Sequence, residues 1–206
     1  MARSEDGRPA ARLPRAARRA QLLKAASSVF AEVGYHQAAM DEIADEAGVS
    51  KPVLYQHFAS KLELYLALLD HATEELVERV AAAMSSSRNN KERVYGAVRA
   101  YFEFVDHDSD AYRLLYQSDL RNDPQVDQIA ARGERGAIDA IAQAIAEDTQ
   151  MDYPAAHLLT VAVIGASEAS ARGWLSGTDY FSRSDATDLV AALLWRGISG
   201  FPARRG

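Results

Sequence analysis

An all-α fold is predicted for this chain: a small three-helix module followed by a larger helical bundle. Three observations predict it. Apolar residues recur at helical spacing and nowhere alternate as a strand would. Glycines and prolines fall mostly in the gaps between those stretches. Residues 40–58 have the make-up of two short helices joined by a tight turn.

Composition bounds the function. At 206 residues, 48% hydrophobic and 25% charged, the chain can bury a sizeable core. It has no cysteine, which excludes disulfides, thiolate catalysis and cysteine-bound zinc. No apolar run approaches a membrane span, and the polar, arginine-rich start does not read as a signal peptide. A cytoplasmic protein with no membrane partner is therefore expected. The net charge of −6 conceals a division. Residues 1–24 hold seven basic side chains against Glu5 and Asp6, while residues 62–206 sum to −8. A polyanion could dock at the basic end and would be repelled by the acidic body.

The elements follow in order. Residues 1–14 read as a flexible basic arm. From Arg15 a helical stripe of Leu22, Leu23, Ala26, Val29, Phe30 and Val33 runs to Gly34, which is expected to end it. A second helix, about Met40 to Ala47, turns Ile43, Ala44 and Ala47 inward, and Gly48 supplies the turn. Ser50 is expected to cap a third helix with Pro52 in its first turn, running to about Phe58. Ser60-Lys61-Leu62-Glu63 is a capping box opening a long fourth helix, with Leu62, Tyr65, Leu66, Leu69, Leu76 and Val80 expected along its seam. Further helices are predicted near 91–106, 109–118, 124–147, 154–175 and 184–200. Residues 15–60 thus form one module and 61–206 a second domain.

The stretch Met40–Phe58 carries the chemistry. Ala44 lets the two helices approach, and Ile43, Val49, Leu54 and Phe58 make a miniature core. If Leu54 faces inward, steps of about 100° turn Phe58 inward as well and Pro52, Val53 and Gln56 outward. The Gln56 amide suits adenine and the Val53 methyls suit a thymine methyl. Ser50, Lys51, Tyr55, His57 and Lys61 ring that face with donors for phosphate oxygens. A buried helical hairpin would not need such an exposed, donor-rimmed second helix.

With these residues in place, the run Leu22–Leu69, with GYHQAAMDEIADEAGVSKPVLYQHFASKLELYLALL at its centre, resembles the TetR family of regulators. The resemblance implies a DNA-binding module, a connecting fourth helix and a ligand-binding domain, working as a homodimer on an inverted-repeat, double-stranded DNA operator. It places Ser50, Lys51, Pro52, Val53, Tyr55, Gln56 and His57 on the recognition helix. It also makes Lys61 a phosphate contact and puts Arg15 and Arg18 near the DNA backbone. One departure stands out: Ala38 and Ala39 occupy the place of the family's usual capping threonine or serine, so the second helix must be capped by backbone or water. Together with the later HDSDAYRLLY, the same run is similar to the FasR-type regulators of fatty-acid synthesis, which implies a long-chain acyl-CoA as effector.

The second domain is aromatic-rich, with Tyr95, Tyr101, Phe102, Phe104, Tyr112 and Tyr116 on two successive helices. Facing helices leave cavities where large and small side chains alternate. Phe102, Phe104, Tyr112, Leu115, Tyr116 and Ile164 are therefore the candidate ligand-binding residues, for an acyl-CoA, a fatty acid or another lipophile. Small residues beside tryptophans suit a dimer interface: Ala166, Ala169, Trp174, Leu194 and Trp195 are the candidates. The five histidines are scattered without metal-ligand spacing, and the serines lack a nucleophile-elbow context, so neither a metal site nor a catalytic triad is expected. No cofactor is called for. The expected function is a ligand-responsive DNA-binding regulator, tied to fatty-acid metabolism or else to an efflux or catabolic operon. A helical enzyme is the remote alternative.

Overall fold

The computed structural model describes residues 13–107, 109–116, 120, 123–177 and 180–199. Nine helices and no strand lie among them: α1 Arg15–Gln37, α2 Met40–Glu46, α3 Lys51–His57, α4 Lys61–Ser85, α5 Asn90–His107, α6 Ser109–Tyr116, α7 Pro124–Thr149, α8 Tyr153–Ser176 and α9 Arg183–Ser199. The basic arm expected at 1–14 lies, up to residue 12, outside the described residues.

Several helix ends differ in detail from the expectation. Gly34 does not end α1. With φ 77° and ψ 164° it puts a kink there, and a last turn continues to Gln37. At α2 no side chain caps the first-turn N–H groups that a hydroxyl would take, but the Glu42 carboxylate accepts from Ala39 N at 3.0 Å. The reciprocal half of a capping box thus survives without the hydroxyl. At α4 the forward half is present, since Ser60 Oγ accepts from Glu63 N at 3.1 Å, but Glu63 Oε2 accepts from Ala59 N at 2.7 Å, one residue before the cap, so the expected box does not close on Ser60 itself. Ser50 heads α3 through its carbonyl, which accepts from Val53 N and Leu54 N; its hydroxyl makes no capping bond.

Packing then sorts the faces. The turn forms where Gly48 adopts φ 63°, a left-handed conformation that glycine reaches without a Cβ clash. Ile43, Ala44, Leu54 and Phe58 are buried around it, as the spacing predicts. The α4 seam is rotated from the expected one: Leu64, Tyr65, Leu68, Leu69 and Ala72 are buried, whereas Leu62 and Leu66 are only half-buried. The cause is that α4 is packed from several sides, by α5, α7, α1 and α6, so no single stripe describes it.

Two apolar clusters result. The first joins α1, α2, α3 and the first half of α4, and takes in Leu114 of α6 and Val126 of α7. The second joins α5, α6, α8 and α9 around Phe102, Phe104, Val105 and Tyr112. The first cluster therefore crosses the 60/61 boundary, and α4 belongs to both halves of the molecule.

Candidate DNA interface and effector cavity

Helix α3 presents the surface predicted for it. Leu54 holds it to the core, while Ser50, Lys51, Pro52, Tyr55 and Gln56 are exposed and Val53 and His57 half-exposed. Tyr55, at 43% exposure, is a large ring left in solvent beside the outward face. Lys51 is held by Asp41, its ammonium 2.7 Å and 3.0 Å from the two carboxylate oxygens. That hydrogen bond and charge raise its pKa, so it stays cationic. A phosphate arriving here would compete with Asp41 for it.

The flank is built by α1. Arg15 is exposed, and Arg18 donates to Gln21 Oε1 at 2.8 Å while Gln21 Nε2 donates to Ala47 O at 2.8 Å, tying α1 to the turn. Arg19 stacks over the Phe58 ring at 4.5 Å. Burial first, then the charges of Arg15, Arg19 and Arg18, hold the His57 imidazole below its ordinary value. Three arginines and a histidine from two helices thus make one basic edge beside α3. Arg19 was missed in the sequence, although its i, i+4 relation to Arg15 was visible there.

Lys61 sits differently from the rest. Its ammonium donates to the carbonyls of Tyr35 at 2.7 Å, Ala38 at 2.9 Å and His36 at 3.2 Å, and lies 4.6 Å from the centre of the Tyr35 ring.

The second site is a cavity of about 380 Å3 between α4, α5, α7 and α8. A volume of that order is within the range of small-molecule sites. On α5 its wall is Val94, Ala97, Val98 and Tyr101, an i, i+3, i+4, i+7 stripe. Val80 and Met84 of α4 and Ile141 and Ile145 of α7 continue it. Ile164 lines it as expected. Phe102, Phe104 and Tyr112 do not: they are packed in the second cluster, which also takes in Val98 and Tyr101 from the cavity wall. Phe102 stands about 100° round the helix from Tyr101, whereas Phe104, seven residues on from Ala97, continues the same face beyond the lining residues. The side chains of Leu115 and Tyr116 lie outside the described residues. The charged residues Asp127, Glu134, Glu168 and Arg172 also line it, with Tyr101 and Thr73. At Gly133 α7 lies close against α4, where a Cβ would overlap the Thr73 methyl.

The outer face of α8 and α9 is apolar in a way that the sequence reading did not single out. Leu158 is 70% exposed, Leu189 60% and Leu193 68%, with Val161 beside them. The four-residue step from Leu189 to Leu193 was the available signal. Ala169 is exposed and Ala166 half-buried on this helix pair. Trp174 and Leu194 instead pack against the inner cluster, Trp174 with its ring 5.9 Å from Phe102 and its indole N–H on Phe181 O. Trp195 is half-buried. Among the described residues no cluster of metal-binding side chains occurs, and no helix is long and apolar enough to cross a membrane.

A turn-linked recognition helix on a basic edge, joined through one long helix to a hollow bundle, defines a helix-turn-helix transcriptional regulator with an effector domain. Comparison with known proteins makes the assignment specific. Residues 22–68 match the family described as bacterial regulatory proteins, tetR family, and residues 90–197 match the tetracyclin repressor-like C-terminal domain. The chain is 43% identical over 194 residues to the HTH-type transcriptional activator FasR of Mycolicibacterium smegmatis, covering 94% of this chain and 89% of that protein. A TetR-like regulator from Rhodococcus sp. RHA1 has the same fold at a TM-score of 0.72 and 32% identity, over 92% of this chain and all of that one. FadR of Bacillus subtilis, solved in complex with stearoyl-CoA, superposes at a TM-score of 0.70 and 21% identity over 88% of this chain and 98% of its own. The chain belongs to the TetR family of DNA-binding transcriptional regulators.

Proposed function

We propose that this regulator binds an inverted-repeat operator as a homodimer and releases or tightens on it when a long-chain acyl-CoA enters the bundle, in the control of fatty-acid metabolism. The observation that carries the reading is the cavity, whose walls on α4, α5 and α7 are aliphatic over most of their length. The likeness to FasR over nearly the whole chain supports the same class of effector. The exposed leucines of α8 and α9 support the dimer, because apolar surface of that kind is normally covered by a partner.

An alkyl chain enters at a gain of about 0.8 kcal/mol per buried methylene, so the apparent affinity climbs with chain length until the space is full. The ligand shifts the protein only by its difference in affinity between the two states. The test is a titration of acyl-CoAs of rising length into the protein–operator complex. A steep dependence on length, saturating once the cavity is full, is expected. Equal potency of short and long chains sinks the acyl-CoA reading. The carboxylates of Asp127, Glu134 and Glu168 favour one second reading, a neutral or cationic lipophile such as an efflux or catabolic regulator would sense. Stronger release by a cationic amphiphile than by an acyl-CoA of equal length would select it.

A further inference from the structure

Asp41 is absent from the DNA contacts that the sequence predicts, yet it is joined directly to the recognition helix. It stands in the first turn of α2 beside Glu42, and the two acids hold different partners. Glu42 is bound to the backbone N–H of Ala39, whereas Asp41 reaches across to α3. Its two carboxylate oxygens lie 2.7 Å and 3.0 Å from the Lys51 ammonium. Both side chains of the pair are more than half exposed. An ion pair as open as this adds little to stability, so holding the fold together is not its main effect.

Its place and its chemistry suit the major groove. Lys51 is the first residue of α3, and the N-terminal residues of a recognition helix are those that meet base edges. An ammonium has three donors, so at least one remains when Asp41 is served. The carboxylate only accepts: it repels a phosphate and takes a hydrogen bond from an amine. In the major groove a G·C pair shows an acceptor, guanine O6, beside a donor, the cytosine N4 amine. Those two atoms are themselves hydrogen-bonded, so they stand about 3 Å apart. The Lys51 nitrogen and the Asp41 oxygens have the same spacing and the opposite polarity. An A·T pair offers thymine O4 beside adenine N6, but it sets a methyl against the ammonium and the adenine N7 acceptor against the carboxylate. A G·C pair instead gives the lysine a second acceptor, guanine N7, and leaves the carboxylate no acceptor to repel it.

We propose that Asp41 and Lys51 together read one G·C base pair, Lys51 donating to the O6/N7 edge of the guanine and Asp41 accepting from N4 of its cytosine. Asp41 is then a specificity-determining residue, and Lys51 reads a base instead of holding a phosphate. On other sequences Asp41 keeps Lys51 occupied and sets a negative charge in the groove, so binding there is weaker. Composite reading of this kind depends on α3 lying in the major groove and on nothing about the effector.

The full-length protein is used to select sites from a randomised pool of double-stranded DNA, as wild type, Asp41→Ala, Lys51→Met and Gln56→Ala. Binding to single-base variants of the selected site is then measured across salt concentrations. Wild type is expected to fix a G·C pair over A·T by about five- to 150-fold at the position in question. Asp41→Ala and Lys51→Met should each lower that ratio several-fold, at that base pair and at no other. Asp41→Ala should also bind random DNA more tightly, with a salt slope steeper by up to about one per protomer, because Lys51 is released to the phosphates. Both side chains are exposed, so the variants are expected to fold. A gain of affinity for all sequences in Asp41→Ala, with every wild-type base preference kept, makes Asp41 a mere screen on a phosphate-binding lysine and overturns the proposal. Wild-type selection of a site without a fixed G·C pair overturns it too, as does loss of preference at different base pairs in the two variants. Gln56→Ala reports separately on the placement of α3: loss of preference at its own base pair keeps that helix in the groove even where the Asp41–Lys51 reading fails.

Discussion

The two halves of this molecule bury their apolar residues to different ends. Around α1–α3, Leu22, Ile43, Leu54 and Leu64 are fully sealed, with Phe30 and Phe58 almost so, and the exposed side of that core is the candidate DNA-reading face. In the bundle, α4, α5, α7 and α8 turn Val80, Val94, Ile145 and Ile164 towards an internal space. A recognition helix must hold its side chains in one geometry, so its support is close-packed. An effector domain must accept a guest, so it keeps room at the cost of packing contacts. Val126 touches both regions, being buried in the first cluster while lining the cavity.

Substitutions can break or sharpen that contrast. Leu54→Ala, in the sealed core, should destabilise the protein by about 2–5 kcal/mol in denaturant unfolding, because the cavity it leaves cannot collapse. A loss below about 1 kcal/mol would remove the contrast altogether. Gly133→Ala probes a tight crossing in the hollow half. Its new methyl meets that of Thr73, so about 1–3 kcal/mol of stability should be lost, and replacing Thr73 by Ser in the same chain should recover part of it.

On the outward face of α3, Gln56→Ala should leave the unfolding midpoint in place. It should cost about 1–3 kcal/mol of operator affinity at one base pair per half-site, read from binding to single-base operator variants. In the cavity, Ile164→Phe should cost under about 1 kcal/mol of stability, since the added atoms enter open space, while shifting the optimal acyl chain towards shorter lengths. Destabilisation comparable to that of Leu54→Ala would show the bundle to be as tightly packed as the module.

The smallest effect is a pH slope. Burial and the neighbouring arginines lower the His57 pKa from its ordinary 6.5, so as pH falls the unfolded chain takes up the proton first. The stability associated with neutral His57 is thus present above that value and declines as pH drops through it towards the folded one. His57→Gln should flatten the dependence of the denaturant midpoint between pH 7 and 5, and an unaltered curve would exclude this origin.

What could be read from the sequence was whatever a local period or a local donor decides. The helices, the inward Leu54 and Phe58, the Ser60 side-chain cap and the outward face of α3 all depend on residues within a turn or two of each other. Angular spacing along one helix suffices for those. Tertiary structure alone decided the rest. The aromatics Phe102 and Phe104 are as regular as the true α5 wall, and nothing in their spacing says which side chains reach the cavity and which are sealed against α8 and α9. Trp174 and Leu194 likewise turned inward, leaving Leu158, Leu189 and Leu193 on the outer face. Lys61 could be placed at the start of α4 from the sequence, but its carbonyl partners lie 23–26 residues earlier. Which helix covers which face, and which distant carbonyls meet one ammonium, are properties of the assembled bundle, because they depend on contacts between segments whose separation along the chain has no period.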